Sequence, residues 1–240
     1  MNLNDFIHCT NRAQSFEEVV FLFEKFISQY GFTNYVMGDM SLDSPVQRAE
    51  SFGTLTNYSP EWLEHYKNNN YVAVDPVIKK ALISHVPFTW EEAKCEDKTQ
   101  DSLNMMNEAI EFNLVNGIGL SVHRPFGRII GFGLATSEKN PHMDKDTMAI
   151  LHSVCVHFCN VYENLIGINI SEYPVCLTVR EKEVLYWISR GSTKKNIAEH
   201  FKVSESCVKR HCENILQKLS VKNLAHAVLK GVRSGLISPY

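Results

Sequence analysis

The sequence predicts an α+β protein in two parts: a mixed sheet flanked by helices over 1–166, and a small all-helical module over 177–240. Three observations carry this. Apolar residues recur with both helical and alternating periods before about residue 166, but only with the helical period after Leu177. The stretch "GINISEYPVC", 167–176, breaks the periodicity and reads as a linker. The charge also changes sign there. From Pro174 onward 12 Lys and Arg face 5 Asp and Glu, a net of +7, whereas the first 173 residues carry 12 against 22, a net of −10. A chain of 240 residues is long enough for two modest cores.

In the first part, "FEEVVFLFEKFISQYGF" has helical spacing and stops at Gly31. "TNYVMGDMSL" and "RAESFGTLTNY" read as strands between polar punctuation. "SPEWLEHYKNNN" begins with Ser59 as N-cap and Pro60 at the first helical position. "SLNMMNEAIEFNLVNG" is again helical, and "IGLSVHRPFGRIIGFGLATS" reads as two strands around "RPFGR". From Met143 to Ile166, Leu151, Val154, Cys155, Phe158, Val161, Tyr162 and Leu165 form the stripe of one long amphipathic helix.

The second part predicts four short helices. Thr178 and Glu181 make a capping box ahead of Val184, Leu185 and Ile188. "STKKNIAEHF" follows, then a tight turn and Ser204 as the cap of "ESCVKRHCENILQKL". That helix buries Val208, Cys212, Ile215, Leu216 and Leu219 and leaves Glu205, Ser206, Lys209, Arg210, Glu213 and Gln217 outside. A fourth helix runs from Asn223 to about Ser234. A short helix, a tight turn and a longer helix with a basic face is a helix-turn-helix arrangement, whose second helix suits the major groove. Lys209 and Arg210 are placed for bases or flanking phosphates, and Lys194 and Lys195 for the DNA backbone. The purely structural alternative is a small bundle with a solvated face.

Other classes are disfavoured by what the sequence lacks. No run of about 18 apolar residues is present, "MNLNDFIHCTNR" does not read as a signal peptide, and seven scattered cysteines suit a reducing cytoplasm. His152, Cys155 and Cys159 share the long helix, but Cys155 lies on its apolar stripe, so no metal is expected. "GLSVH" lacks the second glycine of a nucleophile elbow, and "NYVMGDMSLD" lacks the acidic pair of a phosphorylated receiver, so neither an enzyme nor a receiver is expected.

"LTVREKEVLYWISRGSTKKNIAEHFKVSESCVKRHCENILQKLSVKNLAHAV" resembles the DNA-binding domain of LuxR-type regulators, over about 60 residues almost without gaps. "NYSPEWLEHYKNNNYVAVDPV" with "PFTW" is similar to the autoinducer-binding domain of the same family: Trp62, Tyr66, Asp75-Pro76 and Trp90 fit its spacing, with Tyr58 and Gly117 at further matching positions. The resemblance implies an α/β/α sandwich sensor domain over 1–166 and a LuxR-type helix-turn-helix domain over 177–240. It implies no cofactor but a small-molecule ligand, an N-acyl homoserine lactone, held by Tyr58, Trp62, Tyr66, Asp75, Trp90 and Gly117. In that picture Asp75 accepts the ligand amide N–H, Trp62 donates to the lactone carbonyl, Tyr66 donates to the amide carbonyl and Trp90 packs over the ring. The implied partners are double-stranded promoter DNA, a second copy of the chain and RNA polymerase, in the cytoplasm. The DNA-contacting set would be Lys194, Lys195, Ser204, Glu205, Ser206, Lys209, Arg210 and His211, with dimer faces on 143–166 and on Ala225 to Val232.

Departures from the family pattern qualify this. Asn113 stands where relatives have glycine, and Gly131 and Gly133 lie where relatives offer Ser or Thr, with Thr136 a substitute only in another register. Asp75 before Pro76 also reads as a plain N-cap, and the aromatic set as plain core. A receptor for another small molecule, one active without ligand, or a lactone hydrolase with a DNA-binding tail are the remaining alternatives.

Overall fold

The computed structural model describes residues 1–40, 55–124, 128–138, 143–165 and 177–238, which fall into two compact units, one ending at Leu165 and the other beginning at Leu177. The predicted linker 167–176 and most of "RAESFGTLTNY" lie outside the described residues, as does the centre of "RPFGR".

The first unit is a three-layer sandwich. Its sheet has the order β2-β1-β5-β4-β3, with β1 at Asn34–Asp39, β2 at Leu55–Thr56, β3 at Phe88–Thr89, β4 at Asn116–His123 and β5 at Ile129–Thr136. Every pairing is antiparallel, which corrects the mixed sheet expected from sequence: no long crossover links neighbouring strands in parallel. One layer holds α1 (Leu3–Thr10), α2 (Phe16–Ser28) and α7 (Lys145–Leu165); the other holds α3 (Pro60–Asn68), α4 (Pro76–Ala81), α5 (Trp90–Glu96) and α6 (Gln100–Glu111).

Strand alternation feeds both layers. Tyr35, Met37, Leu120, Phe132 and Leu134 face α2 and α7, where Phe23 packs 4.3 Å from Phe158 and 5.3 Å from Tyr35, centroid to centroid. α1 was not anticipated. Its first turn is a capping box of Asn2 and Asp5, Phe6 is buried, and Thr10 Oγ1 lies 2.9 Å from His157 Nε2 on α7. At one end of the sheet Arg124 and Arg128 both reach Glu163 on α7, and Arg128 also donates to Asp39 on β1. This network ties three elements with paired rather than isolated charges.

The second unit consists of α8 (Val179–Ser189), α9 (Lys194–Phe201), α10 (Glu205–Leu219) and α11 (Leu224–Arg233) around Val184, Leu185, Ile197, Val208, Ile215, Leu219 and Ala227. Helix α8 ends before Gly191, whose φ of +80 favours glycine. Helix α11 crosses α8 closely at Gly231, where an added Cβ would lie 2.7 Å from Leu185 Cδ2. The predicted capping box is formed: Thr178 Oγ1 accepts from Glu181 N, and Glu181 Oε2 accepts from Thr178 N at 2.7 Å. Lys218 Nζ donates to the same carboxylate at 2.7 Å. Burial pushes the Glu181 pKa up, but Lys218 and Thr178 outweigh it and hold the carboxyl below its ordinary range. Thr178→Ala is expected to destabilise this unit by about 1 kcal/mol, read in chemical denaturation.

Candidate functional site

A cavity of about 650 Å³ opens between the sheet and the layer of α3 to α6. Four elements bring its polar groups together. Ser59 caps α3 by accepting from Trp62 N, which places Trp62 and Tyr66 one turn apart on the same face. Their rings meet edge to face at 5.7 Å and both are almost fully buried. Phe112, at the end of α6, packs against Trp62 from behind at 5.2 Å. The chain turns there through Asn113, whose φ of +64 is the left-handed geometry that asparagine tolerates in place of glycine.

Asp75 does two jobs at once. Oδ1 caps α4 by accepting from Val77 N at 2.7 Å and Ile78 N at 3.2 Å, and Oδ2 accepts from the Tyr66 hydroxyl at 2.8 Å. The cap reading is therefore true, but incomplete, because the carboxylate also lines the cavity. Burial pushes the Asp75 pKa up, against the lowering effect of Tyr66, Ile78, Val77 and the nearby Lys79. Tyr66 and Tyr58 are both pushed well above the ordinary tyrosine value, first by burial and then by the charge of Asp75, so both stay protonated and act as donors.

Tyr58, Trp62, Tyr66, Asp75 and Trp90 all line the cavity. Gly117 does not. It lies behind Trp90, where an added Cβ would come within 2.5 Å of ring carbon Cε2, so its place is to seat the indole. The Trp90 N–H is buried with no hydrogen-bond partner among the described residues, a cost carried beside the cavity. Much of the apolar wall was not picked out from sequence, including Val36 and Met40 from β1 and its continuation, Val77, Ile78 and Ala81 from α4, and Met105, Met106 and Ala109 from α6; Asp39, Lys67 and Asn70 add polar groups to it. The i, i+4 pair Met105 and Ala109 was a visible signal for it. Gly131 and Gly133 do lie in the wall. Thr136 pairs with Asn116 and accepts from Glu138 N, outside the cavity lining, so it supplies no substitute hydroxyl.

The second unit presents a polar face. Ser204 caps α10 by accepting from Cys207 N, and Ser204, Glu205, Ser206, Lys209 and Arg210 are exposed opposite the buried Val208, Cys212 and Ile215. Lys195 is exposed and Lys194 half-buried at the start of α9. His211 is set apart from this face: it is half-buried, and its Nδ1 is enclosed with no partner among the described residues. Val203 N donates to Ala198 O, and Lys202, with a left-handed φ of +54, turns α9 into α10.

Comparisons with known proteins agree with both halves. Residues 15–161 match the family described as "Autoinducer binding domain", and residues 175–230 match "Bacterial regulatory proteins, luxR family". The transcriptional activator protein AnoR of Acinetobacter nosocomialis is 30% identical over 98% of this chain and 97% of its own. The transcriptional activator protein EchR of Dickeya chrysanthemi is 29% identical over 77% of this chain and 78% of its own. Among solved structures, Escherichia coli SdiA has a TM-score of 0.71 at 20% identity, covering 98% of both chains. SdiA in complex with octanoyl-rac-glycerol gives 0.70 at 20% identity, over 98% of this chain and 94% of that one. A cavity-bearing sandwich, a helix-turn-helix unit and two family matches that together span most of the sequence lead to one conclusion: this chain belongs to the LuxR family and is a ligand-binding transcription regulator, with an autoinducer-binding domain ahead of its DNA-binding domain.

Proposed function

We propose that the ligand is an N-acyl homoserine lactone and that the protein binds a palindromic promoter element as a homodimer. The observation that carries the ligand is the buried Asp75 carboxylate on a largely apolar cavity, with the donors Tyr58, Trp62 and Tyr66 beside it and Asp39, Lys67, Asn70 and Trp90 also in the lining. An acyl homoserine lactone offers one N–H and two carbonyl groups. Without ligand, Tyr66 donates to Asp75. An amide entering between them gives its N–H to Asp75 and its carbonyl to the Tyr66 hydroxyl, so one internal bond is exchanged for two and neither residue is left unpaired. The Trp62 indole N–H then serves the lactone carbonyl.

The exposed Lys209 and Arg210 support major-groove binding by α10, with Lys194 and Lys195 on phosphates. Exposed Ala225, Leu229 and Val232, at i, i+4 and i+7 on α11, form an apolar stripe suited to a second copy of the chain; the outer face of α7 is the other candidate. A symmetric dimer would set two recognition helices one DNA turn or a multiple apart and so require a palindromic site. RNA polymerase is the partner expected of a regulator acting at promoters.

A second reading is a non-lactone signal. Asp75 already accepts three hydrogen bonds from its own chain, so a neutral ester could leave them intact and use only Tyr58 and Trp62. The related SdiA has been solved with octanoyl-rac-glycerol. A thermal-shift series over acyl homoserine lactones and a monoacylglycerol separates the readings. Stabilisation by lactones of about 2.7 kcal/mol at a hundred times the dissociation constant is expected. Stabilisation by the ester alone would replace the lactone assignment.

A further inference from the structure

Behind the polar end of the cavity stands a second set of hydrogen bonds. The chain leaves α3 through Asn70, whose φ of +52 is a left-handed turn that asparagine tolerates, and enters a single 3-10 turn at Tyr71–Ala73. Val72 and Ala73 are exposed, so the turn is attached to the rest of the unit chiefly through Tyr71. The Tyr71 hydroxyl donates to Glu108 Oε2 on α6, and His65 Nε2 on α3 lies 2.6 Å from the same oxygen. Tyr71 and His65 hold the Glu108 carboxyl below its ordinary range, against the opposing effect of burial. An ionised carboxylate only accepts, so the His65 Nε2 carries the proton. One carboxylate thus fastens α3, the turn and α6 together. His65, Tyr71 and Glu108 stand behind the cavity lining rather than in it.

This cluster ends on Asp75. The Tyr71 carbonyl accepts from Asp75 N at 2.8 Å, so the seat of Tyr71 sets where residue 75 begins α4. The Tyr71 ring meets Tyr66 edge to face at 5.8 Å and lies 6.3 Å from Trp62, which leaves its hydroxyl a short, stiff tether to Glu108. His65 in turn stacks on Phe112 at 5.7 Å, which fixes the other partner of that carboxylate.

The tether matters most when a ligand is bound. Without one, Tyr66 and Asp75 hold each other through their own hydrogen bond. An amide entering between them takes that bond away. Asp75 then keeps its two cap bonds, which engage one carboxylate oxygen, and its backbone bond to Tyr71. The aim of the other oxygen, the one that meets the amide N–H, depends on where that backbone is held. A binding constellation is only as exact as the residues that support it. We propose that Glu108 and Tyr71 are positioning residues that aim Asp75 at the ligand amide without touching the ligand. This rests on the lactone reading above, since it takes the amide N–H to be the group that Asp75 accepts.

The test is titration of the full-length protein with N-octanoyl homoserine lactone and with its ester analogue, in which oxygen replaces the amide N–H. The wild type is expected to bind the amide about ten- to a hundredfold tighter, because only the amide gives Asp75 a donor. Tyr71→Phe removes the hydroxyl and leaves the ring and the carbonyl in place. In that variant amide affinity is expected to fall roughly three- to tenfold, while ester affinity changes less than about twofold. Glu108→Ala is expected to narrow the preference at least as far, and Glu108→Gln, which keeps one acceptor oxygen for Tyr71, to recover most of it. Tyr71→Phe decides the matter if Glu108→Ala does not fold. A purely structural contact would weaken both ligands alike. That result, or an unchanged preference in Tyr71→Phe, would overturn this inference and leave the lactone reading standing. A wild type that binds the two ligands equally, or binds neither, would overturn both.

Discussion

Asp75→Asn is expected to remove most of the stabilisation by an acyl homoserine lactone while leaving the ligand-free protein at least as stable as the wild type. The two effects separate because Asp75 has two oxygens in different roles. Asparagine keeps one side-chain carbonyl oxygen and is about as good an N-cap as aspartate, so bonds like those from Val77 N and Ile78 N persist. It loses the charge. A charge-assisted hydrogen bond contributes roughly 1.5–3 kcal/mol, so lactone affinity is expected to fall by about ten- to a hundredfold. At a ligand concentration a hundred times the wild-type dissociation constant, a hundredfold loss reduces the stabilisation from about 2.7 to about 0.4 kcal/mol.

The pH dependence of the ligand-free protein gives a second readout. Burial raises the folded-state pKa of Asp75, so the folded chain holds its proton to higher pH than the unfolded chain does. The protonated form's contribution to stability is complete below the unfolded value of 3.8 and is lost as pH rises through the folded value. Asp75→Asn is expected to abolish that decline, measured as melting temperature against pH. Unchanged lactone affinity in the variant would reduce Asp75 to a helix cap.

Lys209→Glu is expected to abolish promoter binding in a gel-shift or anisotropy assay without altering ligand binding or the fold. The side chain is exposed, and the core of its unit rests on Val208, Cys212, Ile215 and Leu219 from the other face of α10. Charge reversal replaces attraction to phosphate with repulsion. At roughly 1–3 kcal/mol for each recognition helix, a symmetric dimer loses about a hundredfold or more in affinity. The dependence of binding on salt should also weaken, because fewer counterions are released. Retention of tight promoter binding would move the recognition surface away from α10.

Much of this could be read from the sequence because it is local. Capping at Ser59, Thr178 and Ser204 depends on residues three apart, and the stripes of α7 and α10 on residues three and four apart. The caps form as predicted, and the stripes do so except that Leu165 is exposed and Val161 and Leu216 are only half-buried. The spacing of Trp62, Tyr66, Asp75 and Trp90 was legible too, and all four line one cavity. Helix α1 was missed although Leu3, Phe6 and Ile7 repeat at helical spacing, because that stripe spans only two turns; its contacts are with α2 and α7.

What the sequence by itself determined is where most of the longer helices start and stop, where the charge reverses, and which polar and aromatic residues are available for a ligand. The tertiary structure alone decided how they are used. The antiparallel order of the sheet puts Gly131 opposite Gly38 and sets both in the cavity wall, and packing puts Gly117 behind Trp90. It also joins the Tyr66 hydroxyl to the oxygen of Asp75 that capping leaves over. The physical reason is range. Helix periodicity and caps are set by neighbours within one turn, whereas a cavity is the space that side chains from distant segments leave unfilled, and a glycine shows only that a side chain is missing, not what stands in its place.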